Sequence, residues 1–346
     1  MRAFACGTCR SLVFFDNDRC LTCGSSLAYD RGRQDLVVVA ADEPRRCANR
    51  VIANCNWLLD DGPSAVATGS AGGRLCGSCA LTRTRPADDD LAGMAAFALA
   101  EGAKRRLVYQ LDHIGLPTTP RAVDPEHGLA FDLLSSVAEP VTTGHASGVV
   151  TIDLAEGDDP HREALRVQLA EPYRTMLGHL RHEIGHWYWD VLVDGTPFLD
   201  RFRELFGNEQ RDYAEALQEH YGKPPGIDWM DTHVSHYAAA HPWEDWAETF
   251  AHYLHIRDTT ETAAAWGVRV GGPDLDLSLA SNANLDVEPD EHVATFEELA
   301  QSWIALEMAL NALNRSMGKD DLYPFRLTPA VLTKMRFVHV VVTSVR

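Results

Sequence analysis

The chain has 346 residues, of which 45% are hydrophobic and 23% charged. That is the composition of a soluble globular protein, and it holds no run of about 18 apolar residues, so no membrane-spanning helix is expected. Residues 1–85 carry 11 Arg and Lys against 8 Asp and Glu, whereas the remainder carries 20 against 42, for a net charge of −19. A strongly acidic body repels a phosphate backbone, which argues against nucleic acid as a partner.

The N-terminus, MRAFACGTCR, has no apolar h-region or cleavage site and is not read as a secretory signal, so a cytoplasmic location is expected. All eight cysteines fall between Cys6 and Cys79. In a reducing compartment such a cluster reads as metal binding sooner than as disulfides. Cys6, Cys9, Cys20 and Cys23 follow C-x2-C-x10-C-x2-C, two knuckles that can complete a tetrahedron around one structural zinc. The intervening SLVFFDND suits a short strand and turn. Cys47, Cys55, Cys76 and Cys79 form a less regular set, expected to hold a second structural zinc, with the Cys47–Cys55 spacing its weakest point.

The run RTRPADDD, Arg83 to Asp90, mixes proline with charge and reads as a linker. From Leu91 the apolar spacing predicts a helix that stops near Gly115 and Pro117. GLAFDLLSS and SGVVTIDLA alternate and predict strands. A helical pattern over 160–193 carries LRHEIGHWYW, and further helices are expected around 200–220, 231–256, 294–317 and 328–342.

His182 and His186, four residues apart, share one helix face and can reach a single zinc ion. Glu183 then lies beside the metal, placed to take a proton from an activated water. Gly185 weakens a helix interior by roughly 1 kcal/mol, which implies that something approaches closely there. Two histidines need a third ligand. The positions where a metzincin carries Gly and His hold Trp189 and Leu192, so the ligand must come from elsewhere. The segment HVSHYAAAHPWEDWAETFAHYLHI, with Pro242 suited to a first helical turn, offers Glu244 and Glu248 at the edge of an apolar face. Glu244 is assigned as the third ligand and Glu248 as the acceptor that orients a ligand, with Asp245 and Glu248 as alternatives for the ligand itself. His179, His252 and His255 read as core or helix-surface histidines. His236 and His241 flank Tyr237 and Glu244 and are candidates for substrate contact, which nothing in the spacing requires.

HEIGH followed by S-x-Y-A-x5-E-x-x-A-E-x-F resembles the catalytic core of gluzincin metallopeptidases, and especially the pattern of anthrax lethal factor, through Tyr237, Glu244, Ala247, Glu248 and Phe250. The resemblance implies that Glu244 is the ligand and that Tyr237 is the phenol stabilising the tetrahedral intermediate. Nearly the whole chain, through CNWLL, GLAFDLL, GHASGVVTIDLAE, EPYRTMLGHLRHEIGHWYWD and the C-terminal ALNRSMGKDDLYPFRLTPAVLTKMRFVH, is similar to a bacterial family of zinc-binding metallopeptidases with an N-terminal zinc ribbon. The gap of 57 residues between His186 and Glu244 is longer than in compact gluzincins and leaves room for an inserted helical pair.

The expected fold is therefore α+β: a double zinc-ribbon module with two four-cysteine sites over residues 1–85, then a mainly helical zincin-like metallopeptidase domain with a small sheet over 86–346. The expected activity is hydrolysis of peptide bonds by a zinc-activated water, with Glu183 as general base, one catalytic and two structural zinc ions, and a peptide or protein substrate. A ribbon-mediated protein partner fits the same reading. The alternative is a protein-binding or regulatory scaffold whose zincin domain is vestigial. SGVVTIDLAE, preceding the HEIGH helix, is expected as either a substrate-pairing edge strand or a purely structural one.

Overall fold

Residues 1–60, 73–137, 139–157, 175–222, 227–271 and 295–345 are described by a computed structural model. They divide into two units, Arg2–Glu183 and Ile184–Arg346, the latter including Met1.

In Arg2–Glu183 the chain begins with two matching cysteine turns. The Cys6 and Cys20 carbonyls accept from the amides of Arg10 and Gly24, and the Cys6 and Cys20 amides donate to the carbonyls of Ser11 and Ser25. Each turn closes on a left-handed residue, Gly24 at φ 74° and Arg10 at φ 63°. Arginine occupies that conformation without glycine's freedom, so the turn must be held by what lies within it. Strands β1 (Phe4–Ala5) and β2 (Leu12–Val13) pair antiparallel across the first turn, and β3 (Leu27–Asp30) pairs antiparallel with β4 (Asp35–Val38). Phe15, Tyr29 and Trp57 form a buried aromatic cluster with Tyr109, at centroid distances of 4.8 to 6.2 Å.

Tyr109 belongs to α1 (Leu91–His113), which starts where the Asp90 carboxylate accepts from the Gly93 amide and ends before Gly115, at φ 76°. The charged run before α1 is not simply a linker. Its first residues lie in β5 (Thr82–Thr84), where Arg83 pairs with Asp132, and its last residue is the cap of α1. The four-stranded sheet has the order β5, β6 (Ala130–Leu134), β8 (Val149–Asp153), β7 (Gly144–Ala146). Strands β5, β6 and β8 run parallel, and β7 is antiparallel to β8. Ser147 and Gly148, both at positive φ, make the two-residue connection that closes β7 onto β8. The strand VVTID is thus internal, paired with β6 on one side and β7 on the other. Of the two readings, a substrate-pairing edge strand or a purely structural one, the pairing fits the second: the edge is covered by a three-residue strand too short to give an alternating pattern.

Helix α2 (Met176–Leu192) carries the HEIGH stretch; the part of the expected helix over 158–174 lies outside the described residues. In the first unit its start is fixed to α1, because the buried Arg181 guanidinium donates twice to the Gln110 side-chain oxygen, at 2.9 and 3.1 Å. In the second unit follow α3 (Phe198–Phe206), α4 (Tyr213–Tyr221), α5 (Pro242–Ala265), α6 (Phe296–Ser316) and α7 (Pro329–Thr343). The segment expected as one helix around 200–220 is two, interrupted at Gly207, φ 104°, and restarted by the Asp212 cap. The helix expected from 231 begins only at Pro242, since the residue before a proline is driven to extended backbone and His241 sits at φ −154°, ψ 149°.

Helix α5 is the centre of the second unit. Trp246, Ala247, Phe250 and Leu254 are buried, and Trp246 meets Phe202, Phe206 and Phe337 from α3 and α7. The expectation about Gly185 is met: a Cβ there would lie 3.1 Å from the Ala247 Cα and 3.3 Å from its carbonyl oxygen. The Trp246 indole N–H also donates to the Gly185 carbonyl at 2.8 Å. Gly185→Ala would improve helix propensity by roughly 1 kcal/mol in open space. Here the methyl crowds the Ala247 backbone, at a cost of about 1–3 kcal/mol, so a net loss of up to about 2 kcal/mol is expected from urea unfolding of the zinc-loaded protein. A stabilised variant would contradict the close approach.

Candidate metal centres

Three groups of residues among those described could each hold a metal ion, with ligand atoms all within 4.8 Å of one another: Cys6, Cys9, Cys20 and Cys23; Cys47, Cys55, Cys76 and Cys79; and His182, His186 and Glu244. In the first, Cys6 and Cys23 sulfurs are 3.7 Å apart and Cys9 and Cys20 sulfurs 3.6 Å. In the second, Cys55 and Cys76 are 3.7 Å apart. Those separations are far too long for S–S bonds. They match the edge of a tetrahedron, about 3.8 Å, that zinc–sulfur bonds of about 2.3 Å require. The Cys47–Cys55 spacing, irregular in sequence, closes without difficulty, and the Cys76 amide donates to the Cys47 sulfur at 3.3 Å. Hydrogen bonds from Ser25 bring the pKa of the Cys23 thiol down to about 6, close to the thiolate a metal requires.

The second tetrad is fully buried, and four thiolates around a dication leave two negative charges to be offset. Helix α1 supplies the compensation. Lys104 and Glu101 are both 0% exposed, with Lys104 Nζ donating to Glu101 Oε1 at 2.5 Å, and Glu101 Oε2 lies 3.5 Å from the Cys79 sulfur. Arg105, also buried, donates to the Ala53 carbonyl at 3.0 Å. Burial opposes its charge, but Cys55, Glu101 and Cys79 together hold it above the usual guanidinium range. Lys104 is thus matched by Glu101, and Arg105 is the cation left to offset part of the thiolate charge.

The third group is built on α2 and α5. One helical turn separates His182 from His186, and Glu183 is buried between them. Glu244, in the first turn of α5, is 1% exposed. Its Oε2 lies 3.5 Å from His186 Nε2, near the edge of about 3.4 Å expected between nitrogen and oxygen ligands on one tetrahedral zinc. The donor set, two imidazoles and a carboxylate, is that of an open zinc site. Trp243 packs its ring on the His186 imidazole, with centroids 4.0 Å apart. The alternative carboxylates are engaged differently. Asp245 pairs with buried Lys334 at 2.5 Å, and burial pushes its carboxyl up to about 7. Glu248 accepts from the Ser235 hydroxyl at 2.5 Å, and the same hydroxyl accepts from the Ala238 amide, so Glu248 anchors the turn that bears Tyr237.

Burial raises the Tyr237 phenol well above its usual range, and the Glu244 carboxylate and Tyr213 add to the effect. It therefore stays protonated, a donor. The other candidate histidines divide. His252 bonds the Tyr323 hydroxyl at 2.8 Å and His255 stacks on Tyr323, as core residues. His179 lies 3.3 Å from Glu156. His241 does not present itself to a substrate: its Nδ1 accepts from the Trp243 amide as the cap of α5, which leaves Nε2–H to donate to the Arg211 carbonyl at 3.1 Å. His236 packs its ring against that of His220, centroids 4.2 Å apart.

One residue beside this group has no signature in the sequence. The Tyr213 hydroxyl donates to Glu244 Oε1 at 2.6 Å. Tyr213 opens α4, 31 positions before Glu244 and inside the segment whose role the motif leaves open. Only the capping pattern of Asp212 and Glu215 is readable there.

Comparison with known proteins agrees with this construction. Residues 3–90 match a zinc-ribbon domain, and residues 93–341 match the family described as "Putative zinc-binding metallo-peptidase". The chain is 50% identical over 347 residues to uncharacterized proteins of Mycobacterium tuberculosis and Mycobacterium bovis, covering 100% of this chain and 96% of each relative. No solved structure matches. No described helix is long and apolar enough to cross a membrane. With thiolate clusters in the matched ribbon and the family match extending over most of the remaining sequence, the chain belongs to this zinc-binding metallopeptidase family and carries an N-terminal zinc ribbon.

Proposed function

We propose that this protein is a zinc-dependent metallopeptidase of the gluzincin type, with His182, His186 and Glu244 holding one zinc ion and Glu183 serving as general base. The observation that carries this reading is the convergence of two imidazoles and one buried carboxylate within 4.8 Å, with a second buried carboxylate on the same helical turn. When bound, zinc polarises the scissile carbonyl and makes water a stronger acid. Glu183 then accepts the proton of the attacking water and returns it to the leaving amine. Tyr237, kept protonated by its surroundings, donates to the developing oxyanion, a contribution of roughly 3 kcal/mol. Glu248 orients the site through its neighbours. A vestigial scaffold has no use for a buried Glu183 or for a phenol so placed.

The substrate is a peptide or protein. On this reading residues 1–85 form the ribbon module, with two structural zinc ions and a surface for a protein partner, and residues 86–346 form the catalytic body. The eight cysteines are free of disulfides, which suits a reducing cytoplasm.

Two measurements test the proposal. Elemental analysis of the purified protein is expected to give three zinc ions per chain, two resistant to mild chelation and one readily removed and replaced. His182→Ala should lose only the labile ion. Digestion of an unbiased peptide library should fall at least about 100-fold in Glu183→Gln, with all three zinc ions retained. Hydrolysis that survives both substitutions would refute the assignment.

A further inference from the structure

The segment between His186 and Glu244 contributes to the metal centre through Tyr213. We propose that Tyr213 is a positioning residue for the metal: its phenol claims one oxygen of Glu244 and so presents the other as a single-oxygen ligand. The inference rests on the metallopeptidase reading for the identity of the ligands, but not on turnover.

The two oxygens of Glu244 are visibly divided between partners. Oε1 accepts the Tyr213 hydroxyl at 2.6 Å, while Oε2 faces His186 Nε2 at 3.5 Å. A carboxylate that rotates freely can bind a cation through either oxygen or through both. A short hydrogen bond to one of them removes that choice and lowers the reorganisation required when the metal arrives. The geometry is braced from the other side. His241 caps α5 with Nδ1 and holds the Arg211 carbonyl with Nε2, which fixes the backbone two residues before Tyr213 to the residue three before Glu244. Asp212 caps α4, accepting from the Glu215 amide at 2.7 Å, and sets the helical start from which the phenol projects. The Tyr213 ring packs edge-on against both His241 and Trp243, and Trp243 in turn lies on His186. The phenol is thus held by the groups that define the first turn of α5.

At 39% exposure Tyr213 is an unusual place to find a group on which a buried ligand depends. Tyr213→Phe keeps the ring against His241 and Trp243 and removes only the donor, so it is expected to fold. The test uses the full-length zinc-loaded protein and a chromophoric zinc chelator, following the labile equivalent in competition. The dissociation constant of that equivalent is expected to rise about 10–100-fold in Tyr213→Phe, with the two thiolate-held ions unchanged. Refilling the emptied centre with cobalt should give a weaker visible absorption in the variant, as Glu244 turns both oxygens to the metal and coordination rises from four to five. A packing role alone would move neither readout. Affinity within twofold of wild type, or tighter, would overturn the inference. Failure of the enzyme assignment looks different: the wild-type protein would then carry no labile third ion at all.

Discussion

The structure turns on a carboxylate placed where a carboxylate is costly. Glu244 is all but excluded from solvent, and an ionised group in that position needs positive charge or donors around it. What surrounds it is one phenol hydroxyl and two imidazoles from the neighbouring helix, a set that satisfies one oxygen and leaves the other facing ring nitrogen. The placement depends in turn on how closely α2 and α5 approach. Gly185 removes the side chain that would separate them, Ala247 fills the contact, and the Trp246 indole bonds the Gly185 carbonyl across the seam. A larger side chain at Gly185 would press on the Ala247 backbone, three residues after Glu244.

The cysteine-rich unit solves a different electrostatic problem. Its second tetrad is sealed from water, so part of the negative charge of the thiolates is met internally by Arg105, while Lys104 is paired with the Glu101 carboxylate that lies beside Cys79. The same helix that supplies these charges carries Gln110, the acceptor for Arg181 immediately before His182. Helix α1 is therefore engaged at its middle by the thiolate centre and near its C-terminal end by the start of the HEIGH helix. This explains why a helix of mixed composition is so thoroughly buried.

Much of this was legible in the sequence because the chemistry leaves periodic traces. The cysteine knuckles, the four-residue spacing of His182 and His186, and the two carboxylates on one edge of the α5 pattern each follow from helix or turn geometry. Gly185 pointed to a close approach because a glycine weakens a helix interior, although Gly102 in α1 shows that a mid-helix glycine alone does not guarantee one. The remainder depends on tertiary placement. Tyr213 reaches Glu244 only because α4 folds back, and an exposed tyrosine at a helix start has no pattern to betray it. The burial of Lys104 and Arg105 has no signature in the sequence, since burial of charge is invisible until its partners are assembled. Arg83 looked like linker and is sheet, because a three-residue strand is too short to alternate. The covered edge of VVTID was hidden for the same reason.

The most direct test of the central claim is to locate the labile zinc itself, by anomalous scattering at the zinc edge from crystals of the loaded protein. The account predicts a third peak bonded to ring nitrogens of His182 and His186 and to one Glu244 oxygen at about 2.0–2.2 Å, apart from the two thiolate-bound ions at about 2.3 Å. A loaded protein with zinc only in the cysteine sites, or with the third ion held without Glu244, would contradict it.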